Sequence, residues 1–187
     1  MIVSLDFSAQ EMRLITEWSQ DPNLLACYVG DSPKDIHSLT AASIAKMPYD
    51  EFKALVEDES AERHKWAKSL RKLGKTVNFS SEFGARAPKM AQVLMCSEED
   101  AQSYLDAKLQ TFSVAEAWKR RVEKEAHDTG YALTMLGARR HLNNLSSQDK
   151  WQVAKAERQA VNFEVQGSAA EMTKLAMCRM WESRLRE

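Results

Sequence analysis

The chain has 187 residues, 44% of them apolar and 28% charged, which is enough for an ordinary domain with a real core and too apolar for a disordered segment. Its 26 basic residues nearly balance its 27 acidic ones, so a uniformly basic binding protein is excluded and any anion site has to be local. No apolar run is long enough to span a membrane and the first residues carry no basic leader, so a soluble, cytoplasmic protein with no membrane partner is expected.

In chain order, Ile2–Leu5 reads as a short strand that ends on Asp6. Ser8 and Glu11 then have the spacing of a capping box ahead of an amphipathic helix of about three turns built on Met12, Ile15 and Trp18. The Asp21-Pro22-Asn23 sequence stops that helix. Helical patterns follow over Asp35–Ile44 and Tyr49–Val56. An acidic patch comes next, and then six cations fall in thirteen residues between Arg63 and Lys75. Lys68, Arg71 or Lys72, Lys75 and Phe79 recur every three or four positions, so one helical face is cationic and carries an aromatic ring. Helices are expected over Pro88–Leu94, Ser97–Gln110 and Val114–Asp128. A hairpin is expected from Tyr131–Leu136 and Arg139–Leu142, then a helix from Asp149 to about Gly167 that continues, bent or straight, to Arg184. The whole reads as a predominantly helical α+β chain in which the first and last segments share a layer. Cys27, Cys96 and Cys178 lie far apart with no metal-ligand spacing, which argues against a zinc site or a disulfide framework.

Three features bear on chemistry. Asp6 at a strand end is placed as a metal ligand often is, although a lone turn aspartate is more commonly structural. The stripe of Arg71, Lys75 and Phe79 suits a ligand with a phosphate end and a flat end, although charge runs also serve as solvated surface. Arg158, Asn162 and Gln166 recur every fourth residue. Such a face matches the acceptors that every base pair offers in a minor groove, or is simply a polar outer face.

The order of these pieces carries a resemblance. Leu5-Asp6-Phe7-Ser8-Ala9-Gln10-Glu11-Met12-Arg13 resembles motif A of the family A DNA polymerases, the DNA polymerase I type. Asp35-Ile36-His37 is similar to that family's Asp-Ile-His. The segment from Arg71 through Lys75 and Phe79 to Phe83-Gly84 resembles its motif B. Gly130-Tyr131, Thr134–Arg140 and Glu157–Glu171 continue the likeness, which spans Asp6 to about Lys174.

The resemblance implies template-directed DNA synthesis from deoxynucleoside triphosphates on primer–template DNA, with two Mg²⁺ ions as cofactor. It makes Asp6 a ligand to both ions and the Phe7 carbonyl a further ligand. Arg71, Lys75 and His37 would contact the triphosphate, with Lys75 as proton donor to the pyrophosphate, and Phe79 would pack on sugar and base. Glu11 looks like the steric gate against a ribose 2′-hydroxyl. Arg158, Asn162 and Gln166 match minor-groove contacts, and Arg139 and Arg140 would meet backbone phosphates. Phe83 stands where the family usually has a tyrosine, so the hydroxyl that would bond the gate glutamate is missing. Ser80 replaces a glycine.

By the same likeness, residues 1–22 would be a palm segment with motif A, 23–129 the helical fingers, and 130–187 a second palm segment. The motif with the second metal carboxylate is expected beyond Glu187, and the thumb before motif A. The chain alone is therefore expected to be inactive and to need partner segments of the polymerase. A non-catalytic nucleic-acid-binding remnant is the alternative. Single-subunit RNA polymerases are disfavoured by the pairing of Glu11 with Phe79.

Overall fold

The computed structural model describes residues 4–82 and 84–184. The chain divides into two compact units: residues up to Gln20 fold with Ala115 onward, and Asp21–Val114 form the other. Each is taken in turn.

The Asp21–Val114 unit holds α2 (Pro22–Tyr28), α3 (Ile36–Ile44), α4 (Tyr49–Glu57), α5 (His64–Glu82), α6 (Ala87–Leu94) and α7 (Glu98–Thr111). The first helix ends at Ser19, ahead of Asp21-Pro22-Asn23 as expected, and the same triplet also opens α2. A proline at the first helical position surrenders no hydrogen bond, and the Asp21 carboxylate accepts the Asn23 and Leu24 N–H groups, so this triplet starts a helix. Asp21 is fully buried, and its other oxygen accepts the Val114 N–H at 3.1 Å, tying the unit's first residue to its last.

Helix α5 is the axle of this unit. One stretch of it buries Val77 among Met90, Ala91, Ala101 and Leu105 of α6 and α7, and another buries Ala67 among Ala41, Ala42 and Phe52 of α3 and α4. The α3–α5 contact is tight because its residues are small. A Cβ on Gly74 would lie 2.7 Å from the His37 carbonyl oxygen and 3.2 Å from the Ala41 nitrogen. At the far end of α5, Lys108 of α7 is buried and donates to Ser81 Oγ at 2.8 Å and Glu82 Oε1 at 2.7 Å.

The other unit holds α1 (Gln10–Ser19), α8 (Ser113–Thr129, from Ala115 on), β1 (Tyr131–Leu133), β2 (Arg139–His141), α9 (Lys150–Asn162) and α10 (Ser168–Arg184). The strands pair antiparallel with Ala132 opposite Arg140, and the ladder is shorter at its turn end than the sequence suggests. There the Thr134 hydroxyl takes over as a backbone surrogate, accepting the Ala138 N–H. The first and last segments do share a unit, through helix packing: Gln10 Nε2 donates to the Ala169 carbonyl at 3.0 Å, and Trp18 stacks on Trp118.

Two expectations need correction here. Of the strand placed at Ile2–Leu5, Ile2 and Val3 lie outside the described residues, while Ser4 and Leu5 are irregular, since a strand without a ladder partner has no backbone bonds to hold it. The Ser8–Glu11 capping box does not form. The N-cap is Ala9, in the left-handed region at φ 51°, with no side-chain cap, and Ser8 instead offers its carbonyl to Arg13 Nε. The continuation expected from α9 into α10 is present, by way of a π-helical turn, Phe163–Gly167. At its end, a Cβ on Gly167 would lie 2.5 Å from Thr134 Cγ2, so only glycine lets this turn reach the hairpin.

Candidate functional site

In the Asp21–Val114 unit the structure gathers residues that are far apart in sequence. Arg71, Lys75 and Phe79 are separated by four residues each on α5 and share a face. Facing them, the N-terminal end of α3 supplies Asp35 and His37. The His37 and Phe79 ring centres are 6.0 Å apart, and Lys75 Nζ lies 5.7 Å from the Phe79 ring centre. Phe79 is 53% exposed, so a flat apolar surface is open beside the cations.

Asp35 organises this end. It caps α3 by accepting the Ser38 N–H at 2.8 Å, and it holds Arg71 with two bonds, from Nε at 2.8 Å and Nη2 at 3.1 Å. Burial by itself would raise the Asp35 pKa. The Arg71 and Ser38 hydrogen bonds outweigh it and hold the carboxyl below the usual range. A guanidinium has five N–H donors, and Asp35 takes two. Three remain for another acceptor. Asp35 therefore orients Arg71 without exhausting it.

Burial, helped by the Arg71 and Lys75 cations and opposed by Asp35, pushes the His37 pKa below its ordinary value. Around neutral pH the imidazole is uncharged, and the net positive charge of the group rests on Lys75 and Arg71, with Asp35 offsetting part of it. This arrangement can take an anion of several oxygens, with an aromatic face alongside for a planar group.

The other unit carries the remaining candidates. Asp6 and Phe7 are exposed in the irregular stretch ahead of α1, and Glu11 is exposed in the first turn of α1. Phe83 lies outside the described residues. Among the described residues no three His, Cys, Asp or Glu side chains gather into a metal-binding group. A divalent magnesium ion demands six oxygen ligands in near-octahedral array, and Asp6 with the Phe7 carbonyl does not build such a site from this chain.

Arg158 and Asn162 are half-buried on α9, and Gln166 is exposed on the π-helical turn. Arg140 lies with its guanidinium 5.8 Å from the Phe163 ring centre, beside Asn162 in sequence, and Arg139 lies 5.0 Å from the Tyr131 ring centre. Both arginines are exposed. Their hairpin is clamped onto α10: Ser168 Oγ accepts the Met135 N–H at 2.8 Å, and Glu171 accepts the Leu136 N–H at 2.9 Å and the Thr134 hydroxyl.

Asp35, Gly74, Ser168 and Glu171 are the positioning residues that sequence reasoning left without a role. Only Asp35 carried a usable signal, as an aspartate immediately before a helical pattern.

A family model described as DNA polymerase family A matches residues 1–187. The chain is 33% identical over 186 residues to the thermostable DNA polymerase I of Thermus thermophilus, covering 100% of this chain and 20% of that protein. It is 30% identical over 176 residues to DNA polymerase I of Treponema pallidum, covering 94% and 16%. Among solved structures it matches the polymerase domain of Pol1 from M. smegmatis in complex with DNA primer-template and dNTP, at a TM-score of 0.73 and 31% identity, over 92% of this chain and 28% of that one. The chain thus spans about a fifth of the length of the curated relatives it matches. No described helix is long and apolar enough to cross a membrane.

Proposed function

We propose, for a chain that belongs to DNA polymerase family A across residues 1–187, that the Asp21–Val114 unit is the nucleotide-binding fingers and the other unit the palm segments that meet primer–template DNA. The observation that carries this reading is the group of His37, Arg71, Lys75 and Phe79 on the facing ends of α3 and α5. Arg71 and Lys75 bind the triphosphate of an incoming deoxynucleotide by charge-assisted hydrogen bonds, His37 adds a neutral donor, and Phe79 packs on the sugar and base. A solved relative that holds primer-template DNA and dNTP supports the assignment.

In the reaction this site serves, nucleotidyl transfer to a primer 3′-hydroxyl, Lys75 is the acid that can protonate the leaving pyrophosphate. Glu11 excludes a ribose 2′-hydroxyl by occupying its volume, unaided by any hydroxyl at position 83. Arg158, Asn162 and Gln166 read the minor groove, and Arg139 and Arg140 hold backbone phosphates. Asp6, with the Phe7 carbonyl, is one contributor to a two-Mg²⁺ centre whose other carboxylate comes from outside these residues. The 187-residue chain alone therefore binds nucleotide but does not extend a primer.

Calorimetric titration of the chain with a deoxynucleoside triphosphate tests the reading. Lys75→Ala removes one charge-assisted bond, of about 1.5–3 kcal/mol, so affinity should fall about 10- to 100-fold. An unchanged affinity removes Lys75 from the site. Primer extension by the isolated chain would refute the dependence on outside segments.

A further inference from the structure

We infer that Asn78 is a positioning residue that sets the tautomer of His37, so that Nδ1 is an acceptor inside the protein and Nε2–H is the donor offered to a phosphate oxygen. The oxygen's identity rests on the nucleotide reading above; the tautomer does not.

Asn78 is 6% exposed on α5, and its amide is fully committed. Its Oδ1 lies 2.9 Å from the Thr40 hydroxyl, whose one proton is shared with the Ile36 carbonyl oxygen at 3.1 Å. Its Nδ2 lies 3.4 Å from the Ile36 carbonyl oxygen and 3.2 Å from His37 Nδ1. In the orientation observed, the NH₂ faces two acceptors, the Ile36 carbonyl and Nδ1, while Oδ1 faces the Thr40 hydroxyl; turned over, the amide oxygen would stand 3.4 Å from the Ile36 carbonyl oxygen, acceptor against acceptor. The two N–H bonds of that NH₂ then serve Ile36 and His37. Nδ1 must present its lone pair, and the ring proton of a neutral imidazole is left on Nε2. Among the described residues Nε2 has no hydrogen-bond partner.

The surroundings reinforce this state. Asp35, at the cap of α3, favours an imidazolium. Arg71 and Lys75 on α5 oppose it, as does burial. A second proton would have to enter at Nδ1, where it would meet the Asn78 NH₂, donor against donor. Gly74 completes the arrangement, because the absence of a Cβ there allows the His37 backbone to come close enough to α5 for Asn78 to reach it. The site therefore keeps a neutral, outward-pointing donor through neutral pH, and leaves the charge on Arg71 and Lys75.

Long-range ¹H–¹⁵N correlation spectra of the ¹⁵N-labelled chain test this directly. The expected result for His37 is a pyridine-type Nδ1 and a protonated Nε2 at pH 7.5. A dominant Nδ1–H form in the unmutated chain overturns the inference, with no variant required. In Asn78→Ala the tautomers should mix and the His37 titration should move to higher pH. With about half the rings in the competent form, affinity for inorganic tripolyphosphate should fall about twofold. Tripolyphosphate that shifts the Arg71 and Lys75 signals but leaves Nε2 unmoved overturns the donor role. Tripolyphosphate that shifts none of the three refutes the nucleotide site, while the tautomer stands on its own spectrum.

Discussion

Gly74→Ala separates a local effect from a tertiary one. In the interior of a helix this substitution ordinarily stabilises, because alanine is favoured over glycine by about 0.8–1 kcal/mol. Here the new Cβ would lie 2.7 Å from the His37 carbonyl oxygen, 3.2 Å from the Ala41 nitrogen and 3.3 Å from the Ala41 Cβ. Ordinary contacts between such atoms fall near 3.5–4 Å. Two of the three atoms are backbone, so relief requires α3 to move as a body away from α5, and no side chain can rotate aside. Overpacking of this kind costs about 1–3 kcal/mol, and a rigid neighbour puts it toward the upper end. The net expectation is a loss of about 1–2 kcal/mol, with the sign opposite to propensity. Urea unfolding followed by circular dichroism reads it as a lower midpoint at an unchanged slope. Because α3 carries His37, the same displacement should weaken tripolyphosphate binding. A variant as stable as the parent, or more so, would refute the close approach of these helices.

Lys108→Met removes the buried cation that binds Ser81 and Glu82. Glu82 keeps 24% side-chain exposure, so the loss should be about 2–3 kcal/mol, below that of a fully buried pair, and a further Glu82→Leu change should recover part of it in the same unfolding assay. An unaffected midpoint in the single variant would show that the bridge is idle. Asp21→Ala deletes the α2 cap and the bond to Val114, for a loss of about 2–4 kcal/mol, whereas Asp21→Asn, which still caps, should cost less. Equal losses would argue against the cap. Burial, with the Glu125 carboxylate adding to it and Arg121 opposing, pushes Glu164 up to about 7 from an ordinary 4.5. The folded state then holds a proton that the unfolded chain has released. Glu164 therefore contributes stability that is complete below pH 4.5 and is lost as pH rises through 7. Glu164→Gln should flatten the stability profile in that window, and a slope unchanged from the parent would exclude Glu164 as its source.

Most helices of this protein were legible in the sequence because their signals are local. The caps at Asp35, Ser97 and Asp149 announce α3, α7 and α9 at the residue where each begins, and a periodic run of cations places Arg71, Lys75 and Phe79 on one side of α5. Helix α2 was hidden because Asp-Pro-Asn opens a helix as readily as it closes one, and the choice depends on whether Asp21 is buried against the end of its own unit. The π-helical turn was hidden because it leaves no local signal; the residue that Gly167 at its end packs against, Thr134, is far off in sequence. No local pattern marks Lys108 as buried or Gly74 as a point of helix contact. Sequence by itself determined which residues could share a helical face. Only the tertiary structure decided which face opposes which, turning a cationic stripe into a site by bringing Asp35 and His37 to it, since proximity between distant segments leaves no periodic trace in either one.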